Sequence, residues 1–345
     1  MSAERGKPGR TRVAVDGMGG DRAPGAIVDG AVQAARSLDV EVILVGQKDR
    51  LAKELDKFRP LPPNLRIHHA PEVIKMAESP AVSVRRKPDS SICQMVELAK
   101  RGEADAIVSA GNTGAVVCAA GLGLGMLEGV DRPGIAVVVP SLRGPVMVID
   151  MGANIDPKPG HLFQYGIMGS IYMNHVMGID NPVVGLLNVG EEETKGTDFV
   201  RAVFKLLDES SLNFMGNAEG RDIFAGRCHV IVTDGFVGNV ALKVSEGMAF
   251  ALTELLRQEI RRTLWNKIGG AILYPAFQRL KKQMDYAQYG GAPLLGVKGA
   301  CFICHGSSSA WAIRNAVARS AVYVTHNVNQ AILDSANELR KAAFS

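Results

Sequence analysis

Two glycine-bearing segments carry the side chains best suited to chemistry. Asn188-Val-Gly-Glu-Glu-Glu-Thr-Lys-Gly196 follows an apolar run at 183–187, and Asp234-Gly-Phe-Val-Gly-Asn-Val-Ala-Leu-Lys243 follows another at 229–233. In an open α/β sheet, ligands bind outside the carboxyl ends of the strands. Lys195 and Asn239, delivered there among glycine amides, suit an anionic group such as phosphate. Three further glycine-rich segments follow strand-like runs: Asp16-Gly-Met-Gly-Gly-Asp-Arg-Ala-Pro24, Ser109-Ala-Gly-Asn-Thr-Gly114 and Asp150-Met-Gly-Ala-Asn154. Any one alone is ordinary turn chemistry. All five at the expected end of one sheet would make a polar cleft.

Each of these residues also has a plain structural reading. Lys195 follows Glu191 to Glu193 and is either a solvated lysine or one placed for a ligand, because a cation at a helix start opposes the macrodipole. Asn239 suits a helix N-cap as well as a donor, and Asp234 suits a turn cap. Cys301-Phe-Ile-Cys304-His305 matches the haem-attachment spacing. The run 300–305 reads instead as a buried strand, with a helix from Ser307, and no second ligand cluster supports zinc. His305 at that strand's end is a general acid or base, or a satisfied structural histidine. No segment is a Walker A loop. Gly121-Leu-Gly-Leu-Gly125 has Glu128 where a dinucleotide fingerprint needs its third glycine, so it reads as close helix packing.

The elements that must position these loops alternate. Strand patterns fall at 12–15, 41–45, 66–69, 106–109, 135–139, 146–149, 183–187 and 229–233, with helical patterns at 24–38, 47–57, 90–101, 113–124, 161–177 and 197–207. This predicts an α/β fold with a mostly parallel, doubly wound sheet. Pro140-Ser-Leu-Arg-Gly-Pro145 predicts a hairpin between two of the strands. From Gly238-Asn239 a long helix runs past Arg262, breaks at Gly269-Gly270 and returns through 277–284. This protruding helical hairpin occupies about 255–289. It sets Arg257, Arg261, Arg262, Lys267, Arg279, Lys281 and Lys282 among Trp265, Tyr274, Phe277 and aliphatic residues. Such a pattern suits an anionic membrane surface, a dimer-forming helix pair or an acidic protein partner.

At 345 residues, with 47% hydrophobic and 21% charged residues, the chain supports a large globular core. A net charge of +4 is too mild for a nucleic-acid binder. Five cysteines do not make a disulfide framework and indicate a reducing cytoplasm. Residues 1–11 read as a disordered basic tail rather than a signal peptide, and residues 12–345 as a single catalytic domain. No apolar run is long enough to span a bilayer.

Together the five glycine-rich strings, with Gly290-Gly-Ala-Pro-Leu-Leu-Gly-Val-Lys-Gly299 and His305-Gly-Ser-Ser308, resemble the bacterial phosphate acyltransferase (PlsX) family from residue 12 onward. Departures are modest: Gly17 stands where alanine is common, and Cys301 and Cys304 where apolar or small residues are usual. The resemblance implies a fold like those of isocitrate and isopropylmalate dehydrogenases and phosphotransacetylases. It implies acyl phosphate synthesis from acylated acyl carrier protein and inorganic phosphate for phospholipid synthesis; no cofactor and no metal-ligating residue is expected, and the sequence does not say whether a divalent ion assists phosphate. It also implies a homodimer, contact with the cytoplasmic face of the membrane, and delivery of product to a membrane glycerol-3-phosphate acyltransferase.

On that footing phosphate attacks the thioester directly, so positioning and charge stabilisation dominate. Lys195 would hold phosphate, Asn239 would donate to the oxyanion, and His305 would protonate the leaving thiolate. Asp16, Gly19, Gly20, Asp21, Asn112, Thr113, Gly114, Asn154, Asp234 and Gly238 would line the phosphate end of the cleft. Arg261, Arg262, Trp265, Lys267, Lys281 and Lys282 would meet the membrane or a protein partner. The rivals are a ping-pong route through an acyl-cysteine, a phosphotransacetylase using coenzyme A thioesters, a dehydrogenase, and a non-catalytic membrane scaffold for lipid synthesis.

Overall fold

The computed structural model describes residues 9–284 and 286–335, without the side chains of 281, 282 and 286. The basic-tail reading for residues 1–11 therefore lies largely outside the described residues.

Eleven strands form one sheet: β1 (Thr11–Asp16), β2 (Val40–Gly46), β3 (Leu65–His69), β4 (Ala106–Ser109), β5 (Gly134–Ser141), β6 (Gly144–Ile149), β7 (Val184–Leu187), β8 (Phe214–Ala218), β9 (Val230–Val232), β10 (Ala292–Leu295) and β11 (Ala300–Ile303). The early helices are α1 (Gly25–Ser37), α2 (Lys48–Leu55), α3 (Pro80–Arg86), α4 (Ser91–Lys100), α5 (Thr113–Gly123) and α6 (Pro159–His175). The later ones are α7 (Asp198–Asp208), α8 (Asp222–Ala225), α9 (Gly235–Arg262), α10 (Leu264–Met284), α11 (Ala310–Thr325) and α12 (Val328–Asp334). The spatial order of strands is β3-β2-β1-β4-β11-β10-β5-β6-β9-β7-β8.

Alternating apolar residues cover both faces of this sheet. Val13, Val15, Val42 and Leu44 enter one buried cluster, while Ala14, Ile43 and Val45 enter another on the opposite face. Residues at successive strand positions point to opposite faces, so a strand needs helices on both sides to bury this pattern. Helices pack closely where glycine allows. A Cβ at Gly30 of α1 would meet the Ala310 carbonyl at 2.5 Å, and one at Gly123 of α5 would meet Val96 at 2.5 Å. The latter is the close packing expected of the Gly121–Gly125 string.

The sheet is not a single parallel run, which corrects the expectation that all five loops leave one end. β3, β2, β1, β4 and β11 are mutually parallel, as are β6, β9, β7 and β8. Between them, β10 is antiparallel to β11 and β5, and β5 is antiparallel to β6. The two parallel runs therefore travel in opposite directions. Their carboxyl-terminal loops converge on the region over β10 and the start of β5. The β5–β6 hairpin pairs Ala136 with Ile149 through to Ser141 with Gly144, as the turn sequence predicts.

The helical excursion differs from the sequence reading. Its turn falls at Thr263, in extended conformation, rather than at Gly269-Gly270, and α10 runs unbroken from Leu264 with Pro275 inside it. Gly270 is a contact point: a Cβ there would meet Ile260 Cγ2 of α9 at 2.6 Å. Small residues let paired helices approach, so two glycines inside a helix need not end it. The helix that carries the arm begins at Gly235 rather than at Gly238-Asn239. Among the described residues no helix is long and apolar enough to cross a membrane.

Candidate active site

Two buried aspartates at the ends of β1 and β6 build the loops around the cleft. Asp16 accepts Ser109 Oγ at 2.7 Å and Met18 N at 3.1 Å, tying the β1 loop to the β4 loop. A Cβ on Gly19 would lie 2.4 Å from Asp16 Oδ2 and 2.6 Å from Gly111 N, so this junction admits only glycine. Asp21 N then donates to the Gly306 carbonyl at 2.8 Å, adding the loop after β11. Gly20, with φ +104°, makes the turn between them.

Asp150 plays the same part in the other run. It accepts Ile135 N (2.9 Å), Gly152 N (3.1 Å), Ala153 N (3.0 Å) and Asn154 N (2.7 Å). Burial raises the pKa of both carboxyls above the ordinary range, against hydrogen bonds that favour their charged forms. The start of α9 sits on this loop: a Cβ at Gly238 would stand 2.0 Å from the Asp150 carbonyl oxygen, and one at Gly235 would stand 2.5 Å from that of Asn154.

The assembled loops enclose a cavity of about 400 Å³. The N-termini of three helices open onto it: α5 through Thr113 and Gly114, α9 through Gly235 and Phe236, and α11 through Ser308 and Ala312. The first amides of a helix lack intrahelical partners and carry the positive end of its dipole, so three such ends favour an anion. An apolar part of the wall is formed by Ile135, Val137, Met151, Leu242 and Ile303.

The residues singled out from sequence divide by position. Thr113, Gly114, Asn239 and His305 line the cavity. Asp16, Gly19, Gly20, Asp21, Asn112, Asn154, Asp234 and Gly238 do not line it and form the support beneath. Asn112 caps α5 through Ala115 N (3.0 Å) and donates to the Met76 and Glu78 carbonyls, both at 3.0 Å. Asn154 donates to the Pro133 carbonyl and to Tyr165 Oη, each at 2.6 Å. Asp234 caps α9, accepting Phe236 N and Val237 N at 3.0 and 2.8 Å. Lys195 is exposed and stands off the cavity on the loop after β7, where its carbonyl accepts Asn188 Nδ2 at 3.2 Å. That loop is moored by Glu191, which pairs with Arg221 at 3.2 Å and Arg227 at 2.5 Å.

His305 has a defined tautomer. Ser307 N donates to its Nδ1 at 3.2 Å, and Ser307 Oγ lies 2.8 Å from the same atom. A backbone amide can only donate, so the neutral ring carries its proton on Nε2 and presents a donor. Cys304 also borders the cavity, but burial pushes its thiol up to about 12. Burial therefore disfavours the thiolate, the nucleophilic form.

The loop-building Asp150 and the paired Lys243 and Glu246 were not singled out from sequence. Lys243 Nζ lies 2.9 Å from Glu246 Oε2, and both border the cavity. Lys243 is four residues after Asn239, a spacing of one helical turn. The arm residues Arg261, Arg262, Trp265 and Lys267 cluster at the α9–α10 junction, with Trp265 80% exposed. Glu246 is the last α9 residue on the cavity, and the helix from there to Arg262 sets this tip about 24 Å further along. The side chains of Lys281 and Lys282 lie outside the described residues. Among the described residues no group of three or more His, Cys, Asp or Glu side chains could hold a metal ion.

Residues 11–331 match the family model described as fatty acid synthesis protein. A phosphate acyltransferase of Desulfitobacterium hafniense is 52% identical over 307 residues, 89% of this chain and 92% of that one. One from Geobacter sulfurreducens is 48% identical, covering 94% and 93%. Among solved structures, a phosphotransacetylase from Streptococcus pyogenes aligns with TM-score 0.62 at 17% identity, over 92% of this chain and 94% of that one. The EutD phosphotransacetylase from Staphylococcus aureus aligns with TM-score 0.59 at 16% identity, over 91% and 94%. These structural likenesses establish the α/β fold.

Proposed function

The chain belongs to the fatty acid synthesis protein family, and on that footing we propose that its cleft makes acyl phosphate from inorganic phosphate and a fatty acyl thioester on acyl carrier protein. It is an acyltransferase, as are its phosphate acyltransferase relatives. The observation that carries the reaction is the convergence of three helix N-termini on one cavity that also holds the Nε2 donor of His305.

Phosphate rests against the helix ends, and the apolar wall takes the first carbons of the acyl chain. A phosphate oxygen forms a bond to the thioester carbon, and the carbonyl becomes an oxyanion that accepts from the Asn239 amide. The carbon–sulfur bond then breaks, and the departing sulfur accepts a hydrogen bond from His305 Nε2–H, which keeps its proton. The proton that the attacking hydrogen phosphate sheds goes to the thiolate, which leaves as the thiol, so the step balances without a cofactor. We assign Lys195, on the exposed loop after β7, to offset the developing negative charge. The raised pKa of Cys304 favours this direct attack over an acyl-cysteine route.

The exposed arm extends the reading. Leu264, Trp265, Ile272 and Phe250 are each more than 70% exposed, beside Arg261, Arg262 and Lys267. We assign part of this apolar surface to a second copy of the chain. The basic tip is assigned to the anionic cytoplasmic face of the membrane, where acyl phosphate would pass to a glycerol-3-phosphate acyltransferase.

The test uses radiolabelled phosphate with palmitoyl-acyl carrier protein or palmitoyl-coenzyme A. Label entering an organic-extractable product from the carrier substrate supports the assignment. Label entering only from the coenzyme A thioester would instead make this a phosphotransacetylase of the kind its structural neighbours are named for.

A further inference from the structure

Among the described residues, Lys243 is the single cationic side chain on the cavity wall, and Glu246 the single carboxylate. Both lie on the face of α9 that also presents Gly235, Asn239 and Leu242 to the cavity, a helical stripe of spacing four, seven, eight and eleven. Resting on the phosphate-transfer reading above, we propose that Lys243 binds the attacking phosphate, and that Glu246 holds its ammonium in place while the site is empty.

The ion pair is poorly explained as a stabiliser of the helix. Lysine precedes glutamate, the weaker order for a helical pair, and the side chains are 56% and 28% exposed. Exposed pairs of this kind contribute little. An ammonium has three donors, and the single 2.9 Å bond to Glu246 leaves capacity for a ligand oxygen. Phosphate near neutral pH carries more charge than one carboxylate, so it outcompetes Glu246. Four residues of helix place the Lys243 backbone only about 6 Å beyond Asn239, within side-chain reach of a group bound there.

This gives the two lysines separate tasks. Lys243 lines the empty cavity and acts on ground-state phosphate, so its loss should appear in KM. Lys195 is off the empty cavity and is assigned to the charge that develops during attack, so its loss should appear in kcat.

The experiment varies phosphate at saturating palmitoyl-acyl carrier protein and follows thiol release. Lys243→Met should raise KM for phosphate about 10- to 100-fold, the effect of one lost charge-assisted hydrogen bond, with kcat changed less than about threefold. Lys243→Arg should restore most of the affinity, and Glu246→Gln should lower KM by removing the competing carboxylate. A merely structural pair predicts that Lys243→Met and Glu246→Gln behave alike and leave KM for phosphate unchanged. That outcome, with phosphate-dependent release intact in the wild type, overturns the assignment. Absence of phosphate-dependent release in the wild type sinks the reaction itself, and this assignment with it.

Discussion

The two ends of α9 obey opposite rules. Its first turn is wedged against the Asp150 loop, with room for no atom beyond hydrogen at Gly235 and Gly238. Further along, Gly247 meets nothing within 4 Å, and Val244, Met248, Phe250 and Leu255 stand more than half exposed. One end is specified by contacts inside the chain. The other carries apolar surface that the described chain does not cover, which is the usual mark of a surface meant for something else. The cleft can therefore be read from this chain alone, whereas the arm is read by what it lacks.

The sharpest way to break that contrast is to make one substitution at both ends. Gly238→Ala drives a methyl into the Asp150 carbonyl and should lower unfolding free energy by about 3 kcal/mol and abolish turnover. Gly247→Ala should stabilise by about 0.5–1 kcal/mol, because alanine is the better helix former where nothing obstructs it. Urea unfolding of both variants decides it, and equal effects would dissolve the distinction. Next in size, His305→Ala should reduce turnover by about 10², with the carrier's KM little changed, since it removes a donor used as the thiolate leaves. Retained turnover would make His305 a loop fastener for Ser307.

Asp150→Asn should cost about 1–3 kcal/mol, because one amide that now meets a carboxylate oxygen would face an NH₂. Its pH signature has a definite sign. A carboxyl with a raised folded pKa supports stability below the ordinary carboxylate range and loses that support as pH rises through the raised value. The variant should therefore show a shallower decline over that window than the wild type, measured as unfolding free energy against pH. A steeper decline would mean that the four amides, rather than burial, set this pKa. The smallest effect belongs to the arm. Arg261→Glu with Arg262→Glu should weaken binding to anionic vesicles by about 1 kcal/mol per lost charge and leave turnover on dissolved substrate unchanged. Unchanged vesicle binding would leave the tip to a protein partner.

The sequence revealed the strands richest in branched residues and the loops after them, because periodicity and glycine punctuation are local. Phe214–Ala218 escaped notice since its Gly216, at φ +90°, interrupts the pattern on an edge strand. Ala292–Leu295 escaped because Pro293 argues against an interior strand. Without β10 the reversal between the two parallel runs could not be seen. The same limit governed the site. Asn239 and His305 were legible as residues at strand ends, and the structure brings them to one cavity with Thr113 and Gly114. That Asp16, Asn154 and Asp234 hold loops together, while Lys195 stands off the cavity, depends on partners distant in the chain. Lys243 already stood one helical turn after Asn239, but the cavity which that face borders is built by residues distant in the chain.

The most direct measurement is thiol release from palmitoyl-acyl carrier protein as phosphate is titrated, for the wild type beside Lys195→Ala. Release that saturates with phosphate in the wild type, and falls about 10²-fold in the variant, is the expected result. Release at the same rate without phosphate would mean that water, not phosphate, is the nucleophile in this cleft.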